Sequence, residues 1–193
     1  MRSRNKILNA TLELIESAGY GGVTVAAVAQ GAGVTRQTVY SIFGTREELV
    51  SQAVSGLVVQ VLGDIRARLD AVDSAFEYVA ELIVAGRAAV RDHPVLTTLL
   101  EAEHGNPLFD AGMIERARPI ARELLSPLGE RVPSLQPSLD DVVEIALRLG
   151  ISVILFEDEA VRTDADLRAF LARWLKPAMM PGTWPGAAPD ASS

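Results

Sequence analysis

Apolar residues return at three- and four-residue steps along most of the chain, the spacing that gathers side chains onto one face of an α-helix. Ile7, Leu8, Thr11, Leu14, Ile15 and Ala18 follow it, with Asn5, Asn9, Glu13 and Glu16 between them. This predicts an amphipathic helix that ends at Gly19. Tyr20-Gly21-Gly22 reads as a turn. Thr24 is placed to cap a short helix over 25–30, and Thr35 a second one that reaches about Phe43 and stops at Gly44. Thr45-Arg46-Glu47-Glu48 has the form of a capping box and opens a longer helix toward Leu69.

The same periodicity continues. Asp73 or Ser74 caps a helix to about Arg91, Pro94 opens another that ends near Gly105-Asn106-Pro107, and a third runs from Leu108 to about Leu125 with a bend or restart at Pro119. Residues 126–138, with Pro127, Gly129, Pro133 and Pro137, read as a loop. Two strongly apolar helices follow, over 140–156 and 164–175. Beyond Lys176, prolines at 177, 181, 185 and 189 oppose helix, so 178–193 is expected to be a disordered, proline-rich tail. There is no internal repeat and no strand-like alternation, and the expected fold class is all-α.

Composition narrows what such a protein does. Hydrophobic residues make up 49% of 193, enough for a substantial core. The absence of cysteine excludes a disulfide framework and thiolate metal sites, and no apolar run reaches the ~18 residues of a membrane span. A cytoplasmic protein without a membrane partner is expected. The net charge of −7 is unevenly split, at +1 over residues 1–50 and −8 over residues 51–193. A near-neutral head on an acidic body suits a protein that meets an anion with its head alone.

Three short helices before residue 44, the last two joined by Gly31-Ala32-Gly33, permit a helix-turn-helix. Ala29 falls where the two cross, since a side chain larger than a methyl would push them apart. Gly33 is free to take the left-handed backbone of a tight turn. Val28, Ala32, Val34, Val39 and Ile42 are expected to make the apolar contact, which leaves Thr35, Arg36, Gln37, Thr38, Tyr40 and Ser41 around the outer face. Such a face is suited to a polar partner outside the fold.

Residues 6–53, KILNATLELIESAGYGGVTVAAVAQGAGVTRQTVYSIFGTREELVSQA, resemble the N-terminal DNA-binding domain of the TetR (tetracycline-repressor-like) family of transcriptional regulators. The order of signals carries the likeness: first helix, Gly-Tyr, capped second helix, Ala-Gly-Val turn, Thr-x-x-x-Val-Tyr-x-x-Phe, then Thr-Arg-Glu-Glu-Leu. The resemblance implies a three-helix DNA-binding domain over 1–47 and a helical effector-binding and dimerisation domain over 48–177. It implies that Thr24 meets a phosphate, that Arg36 and Gln37 read base edges beside Thr35, Thr38 and Ser41, and that Tyr40 reaches the sugar-phosphate backbone. Thr45 and Arg46 would meet phosphate at the start of the fourth helix. Ile42 stands where many relatives have histidine, which removes a polar phosphate contact. Arg2, Arg4 and Lys6 either enter the minor groove or only solubilise the first turn.

In the body, Val142, Ile145, Ala146, Leu149, Gly150 and Val153, followed by Leu167, Phe170, Leu171 and Trp174, form stripes too wide for one neighbour. Pairing with the same two helices of a second copy would give a homodimer that reads an inverted-repeat operator in double-stranded DNA. By the family likeness, the middle helices hold a small-molecule effector. Candidates are Phe76, Ile83, Leu100, Phe109 and Met113 for an apolar wall, with Tyr78, Arg87, His93, Thr97 and His104 as polar handles. An effector bound there would move the fourth helix and lower operator affinity, the behaviour of a ligand-released repressor.

The rival class is an enzyme. Glu101 and His104 are helix neighbours at i,i+3, but no second motif completes a metal site, and phosphate-loop, dinucleotide and nucleophile-elbow motifs are absent from the sequence. No catalysis, cofactor or metal is expected. A helical interaction module that keeps the head without binding DNA is the remaining alternative.

Overall fold

The computed structural model describes residues 2–101, 113–156 and 158–179, with the backbone alone for Leu100, Glu101 and Met113. Its described residues form nine α-helices, two 3₁₀ turns and no strand. The helices are α1 (Arg2–Gly22), α2 (Val25–Ala32), α3 (Arg36–Phe43), α4 (Arg46–Asp70), α5 (Ala75–Asp92), α6 (Pro94–Glu101), α7 (Met113–Arg131), α8 (Leu139–Leu155) and α9 (Asp164–Ala178). The 3₁₀ turns are Pro133–Ser138 and Glu159–Val161. The chain forms two compact units: Met1–Gly63 with Val90–Asp110, and Asp64–Ala89 with Ala111–Ser193. The first takes in more chain than the head expected at 1–47.

In the first unit, Ile7 and Ile15 of α1, Val28 and Ala29 of α2, Val39 and Phe43 of α3 and Leu49 of α4 share one core, joined by Val95 and Leu99 of α6. Glycines at positive φ punctuate the head. Gly19 (φ 69°) breaks α1, Gly33 (φ 64°) ends α2 and Gly44 (φ 75°) ends α3. Gly33 matters most. In its left-handed conformation the carbonyl of Ala29 accepts the Val34 amide at 2.9 Å, closing α2 while the chain turns into α3. Val39 and Phe43, one helical turn apart, form the inner face of α3. Ile42 departs from the expected apolar contact: it lies at the edge of that face and is 38% exposed.

Thr45 receives the Glu48 amide at 3.0 Å, but the expected capping box is only half made. The Thr45 amide is already donated to the Phe43 carbonyl around Gly44, and the Glu48 carboxylate accepts from Gln52 instead. By length and composition α4 is apolar enough to cross a membrane, contrary to the reading of short apolar runs. Its buried residues lie inside the units: Leu49, Val50, Ala53 and Val61 in the first, and Ile65 and Leu69 in the second.

The second unit is centred on α5, which buries Tyr78, Val79, Ala80, Ile83, Val84, Ala85 and Arg87. A helix covered on most sides must satisfy its polar groups internally. Tyr78 does so through its hydroxyl, which donates to the Leu124 carbonyl at 2.8 Å, while burial pushes its pKa up. Arg87 donates to the Val161 carbonyl and to Asp164 Oδ1 at 2.8 Å. Glu81 is held between Arg68 and Arg168. Glu144 accepts from Arg118 and Arg148, which holds its carboxyl below the usual range.

The expected loop over 126–138 is helical instead. α7 continues through Pro119 and Pro127 to Arg131, and the 3₁₀ turn begins at Pro133. Pro127 has no amide to give the Glu123 carbonyl four residues back, and Ser126 Oγ donates to that carbonyl at 2.9 Å. With the orphan satisfied, burial of Leu124, Leu125 and Leu128 carries the helix on. Pro177 likewise lies in the last turn of α9, not after it. Residues 180–193 lie outside the described residues.

A side chain at Gly33 would meet no heavy atom within 4 Å, so substitution there tests the backbone alone. Gly33→Ala is expected to lower stability by about 1 kcal/mol, and Gly33→Asn by less, measured by urea unfolding of the full-length chain.

Candidate nucleic-acid interface

Three consecutive helices of the head begin on a threonine. Thr24 Oγ1 accepts the Ala27 amide at 3.1 Å, Thr35 Oγ1 the Thr38 amide at 3.1 Å, and Thr45 Oγ1 the Glu48 amide at 3.0 Å. In each the oxygen is used as acceptor, which leaves the hydroxyl proton to give outward, except that Thr35 and Thr38 share one hydroxyl hydrogen bond at 2.9 Å. Thr24, Thr35 and Thr45 are all exposed.

The helix starts differ in charge. Neither α2 nor α3 carries an acidic residue in its first turn, so their positive dipole ends are uncompensated. α4 carries Glu47 and Glu48 there. An anion is therefore favoured at the first two starts and opposed at the third.

On α3 the outer face is as expected from the pattern. Arg36, Gln37, Tyr40 and Ser41 are exposed, and Thr38 is half-buried against its cap. Tyr40 is the most open aromatic of the head, at 54% exposure. Of the basic lead, Arg4 is drawn back into the unit: it donates to Gln52 Oε1 at 2.5 Å and lies 5.6 Å from the centre of the Phe43 ring. Arg2 and Lys6 are exposed.

Arg46 is turned inward. Its Nε donates to the Val23 carbonyl and a terminal nitrogen to the Tyr20 carbonyl, each at 2.5 Å, and its guanidinium carbon lies 4.6 Å from the centre of the Tyr20 ring. The other terminal nitrogen is 3.6 Å from Glu47. The family resemblance implied a cation meeting phosphate here, whereas the two carbonyls that hold Arg46 lie 23 and 26 residues earlier, out of reach of a local reading.

Residues 7–53 match the family model described as bacterial regulatory proteins, tetR family. Residues 7–53 are thus a TetR-family N-terminal domain. Members of that family are DNA-binding regulators and not enzymes. A relative, the HTH-type transcriptional regulator AlkX of Mycobacterium tuberculosis (strain ATCC 25618 / H37Rv), is 32% identical over 68 residues, 35% of this chain. The match spans 32% of that protein's length. The TetR-family repressor AlkX from Dietzia sp. strain DQ12-45-1b, implicated in biodegradation of n-alkanes, is 27% identical with a TM-score of 0.58 over 90% of this chain and 95% of that one. A TetR/AcrR-family regulator from Thermobifida fusca YX-ER1 shares the fold, with a TM-score of 0.62 at 19% identity over 92% of this chain and 98% of that one.

The candidate effector residues divide between the units. Phe76, Tyr78, Ile83, Arg87 and Met113 belong to one, and His93, Thr97 and Leu100 to the other. His104 and Phe109 lie outside the described residues, as do the side chains of Leu100 and Met113. Tyr78 and Arg87 are committed to α7 and α9 as described, Thr97 Oγ1 donates to the Val90 carbonyl at 2.8 Å, and Ile83 is buried. His93 and Phe76 are half-buried, the Phe76 ring 5.7 Å from Lys176 Nζ.

The candidate dimer residues divide too. Val142, Ala146, Leu167 and Leu171 are buried in the core of their own unit. Leu149, Gly150, Val153 and Phe170 are half-buried, and Ile145 and Trp174 are exposed, Trp174 at 66%. Leu155, the last residue of α8, and Phe156 just after it are exposed as well.

Proposed function

We propose that the chain is a cytoplasmic, ligand-responsive repressor that binds an inverted-repeat operator as a homodimer and is released by a small-molecule effector. The observation that carries this reading is the outer face of α3, where Arg36, Gln37, Tyr40 and Ser41 stand exposed behind a glycine-set turn while Val39 and Phe43 anchor the helix. Arg36 forks onto guanine and Gln37 onto adenine, with Thr35, Thr38 and Ser41 beside them. Thr24 and Tyr40 hold the sugar-phosphate backbone, and Thr45 flanks them at the start of α4. DNA contact is assigned to residues 1–47, and effector binding and dimerisation to residues 48–177.

The dimer reading is supported by Ile145 and Leu155 of α8, Phe156 just after it and Trp174 of α9, large apolar side chains that stand exposed. A two-fold pairing of these helices sets two recognition helices on two half-sites of one operator. Two observations favour an aliphatic effector. The hydroxyls of Tyr78 and Thr97 and the two terminal nitrogens of Arg87 are already committed within the chain, and the Dietzia relative is implicated in n-alkane biodegradation. An effector that binds the unliganded-DNA state better shifts the population away from the operator, and reciprocally operator DNA weakens effector binding.

Arg36→Ala is expected to weaken operator binding by about 1–3 kcal/mol and to relax preference at one base pair, read by fluorescence anisotropy against a panel of single-base operator variants. Trp174→Asp is expected to convert the dimer to monomer at micromolar concentration without loss of helicity, read by sedimentation velocity and circular dichroism. Titration with n-alkanes, alkanols and fatty acids of graded length is expected to release the operator, with polar metabolites of equal size inert. If no member of the series changed operator affinity, the effector reading would be wrong.

A further inference from the structure

Residues 20–22, expected as a turn, form the last turn of α1 beyond the kink at Gly19, and the turn they make into α2 is held from within by one long bond, the Val23 amide to the Tyr20 carbonyl at 3.4 Å. Gly19, Gly21 and Gly22 lie within four positions, Tyr20 is exposed, and Val23 alone is buried in the core. A stretch so rich in glycine has high backbone freedom and few side chains to fix it. The next residue is Thr24, whose hydroxyl and whose helix start face outward. The turn is instead held from α4, by the Arg46 fork on the Val23 and Tyr20 carbonyls and by its packing on the Tyr20 ring.

Every nitrogen of that guanidinium has a partner inside the unit, Glu47 included. The adjoining Glu47 and Glu48 also repel phosphate from the start of α4. We propose that Arg46 is a positioning residue for DNA binding: it clamps the 20–23 turn to α4 and so sets where Thr24 and the first amides of α2 meet a phosphate. This rests on the reading of the head as a DNA-binding surface, but the clamp itself is measurable without DNA. Its geometry also distinguishes arginine from lysine. A planar fork serves two carbonyls and an aromatic face together, whereas an ammonium of the same charge cannot.

The test compares full-length wild type, Arg46→Lys, Arg46→Ala and Thr24→Val on a duplex selected by the wild type from a random-sequence pool, with affinity measured across salt concentration. Arg46→Lys is expected to lose affinity about tenfold or more, close to the loss in Arg46→Ala, with the salt slope of wild type in both. On the Thr24→Val background the same change is expected to cost much less, because the positioned contact is already gone. In the free protein, Arg46→Lys is expected to speed amide exchange at Ala27 and Val28, which bond to Thr24. Restoration of affinity by lysine, with a slope reduced by about 1 in Arg46→Ala, would show a direct phosphate contact and overturn the proposal. So would additivity with Thr24→Val, which marks a loss unrelated to Thr24, or unchanged exchange at Ala27 and Val28. A wild type that selects no duplex overturns the regulatory reading, and amide exchange then decides the clamp by itself.

Discussion

The left-handed turn at Gly33 is the constraint on which the head depends. An α-helix ends with four carbonyls unpaired, and here the residue at φ 64° lets the Ala29 carbonyl take the Val34 amide while the chain changes direction. Two buried anchors then suffice to hold α3, because Val39 and Phe43 are one turn apart on its inner side. The remaining positions of this eight-residue helix are free of packing duty, which is how so short an element presents four polar side chains at once. Rigidity and exposure have one origin.

Electrostatics follows from where the acids are. A protein of net charge −7 meets a polyanion only if its negative groups stand elsewhere, and the first turns of α2 and α3 carry none. The second unit carries the compensation, with carboxylates such as Glu81 and Glu144 locked between arginines of the same unit. Such pairs at partly exposed positions contribute little stability each. Their effect is to neutralise those charges where they stand.

The head was legible in the sequence because its signals are local: a threonine before each short helix, a glycine after it, and apolar residues one turn apart. The outer face of α3 could be read by subtraction from Val39 and Phe43. What could not be read were partners distant along the chain. Arg46 finds carbonyls at Tyr20 and Val23, Arg87 finds Val161 and Asp164, and Tyr78 finds Leu124. Each was expected to meet a ligand, DNA for Arg46 and an effector for Arg87 and Tyr78, and in each case an acceptor many positions away took its polar group. Ile42 failed in the other direction, since its apolar character suggested packing while its angle on α3 leaves it at the rim. In the body, an apolar stripe does not say which part of it is spent at home: Val142 and Leu171 are, Ile145 and Trp174 are not.

The proline inside α7 shows how little is needed to defeat a breaker. Ser126 Oγ supplies the one hydrogen bond that Pro127 withdraws from Glu123, and the leucines around them close the rest. Because Ser126 and Glu123 are both exposed, water can take over from the hydroxyl at the Glu123 carbonyl, so the serine eases this helix past its ring while the buried leucines are what it requires.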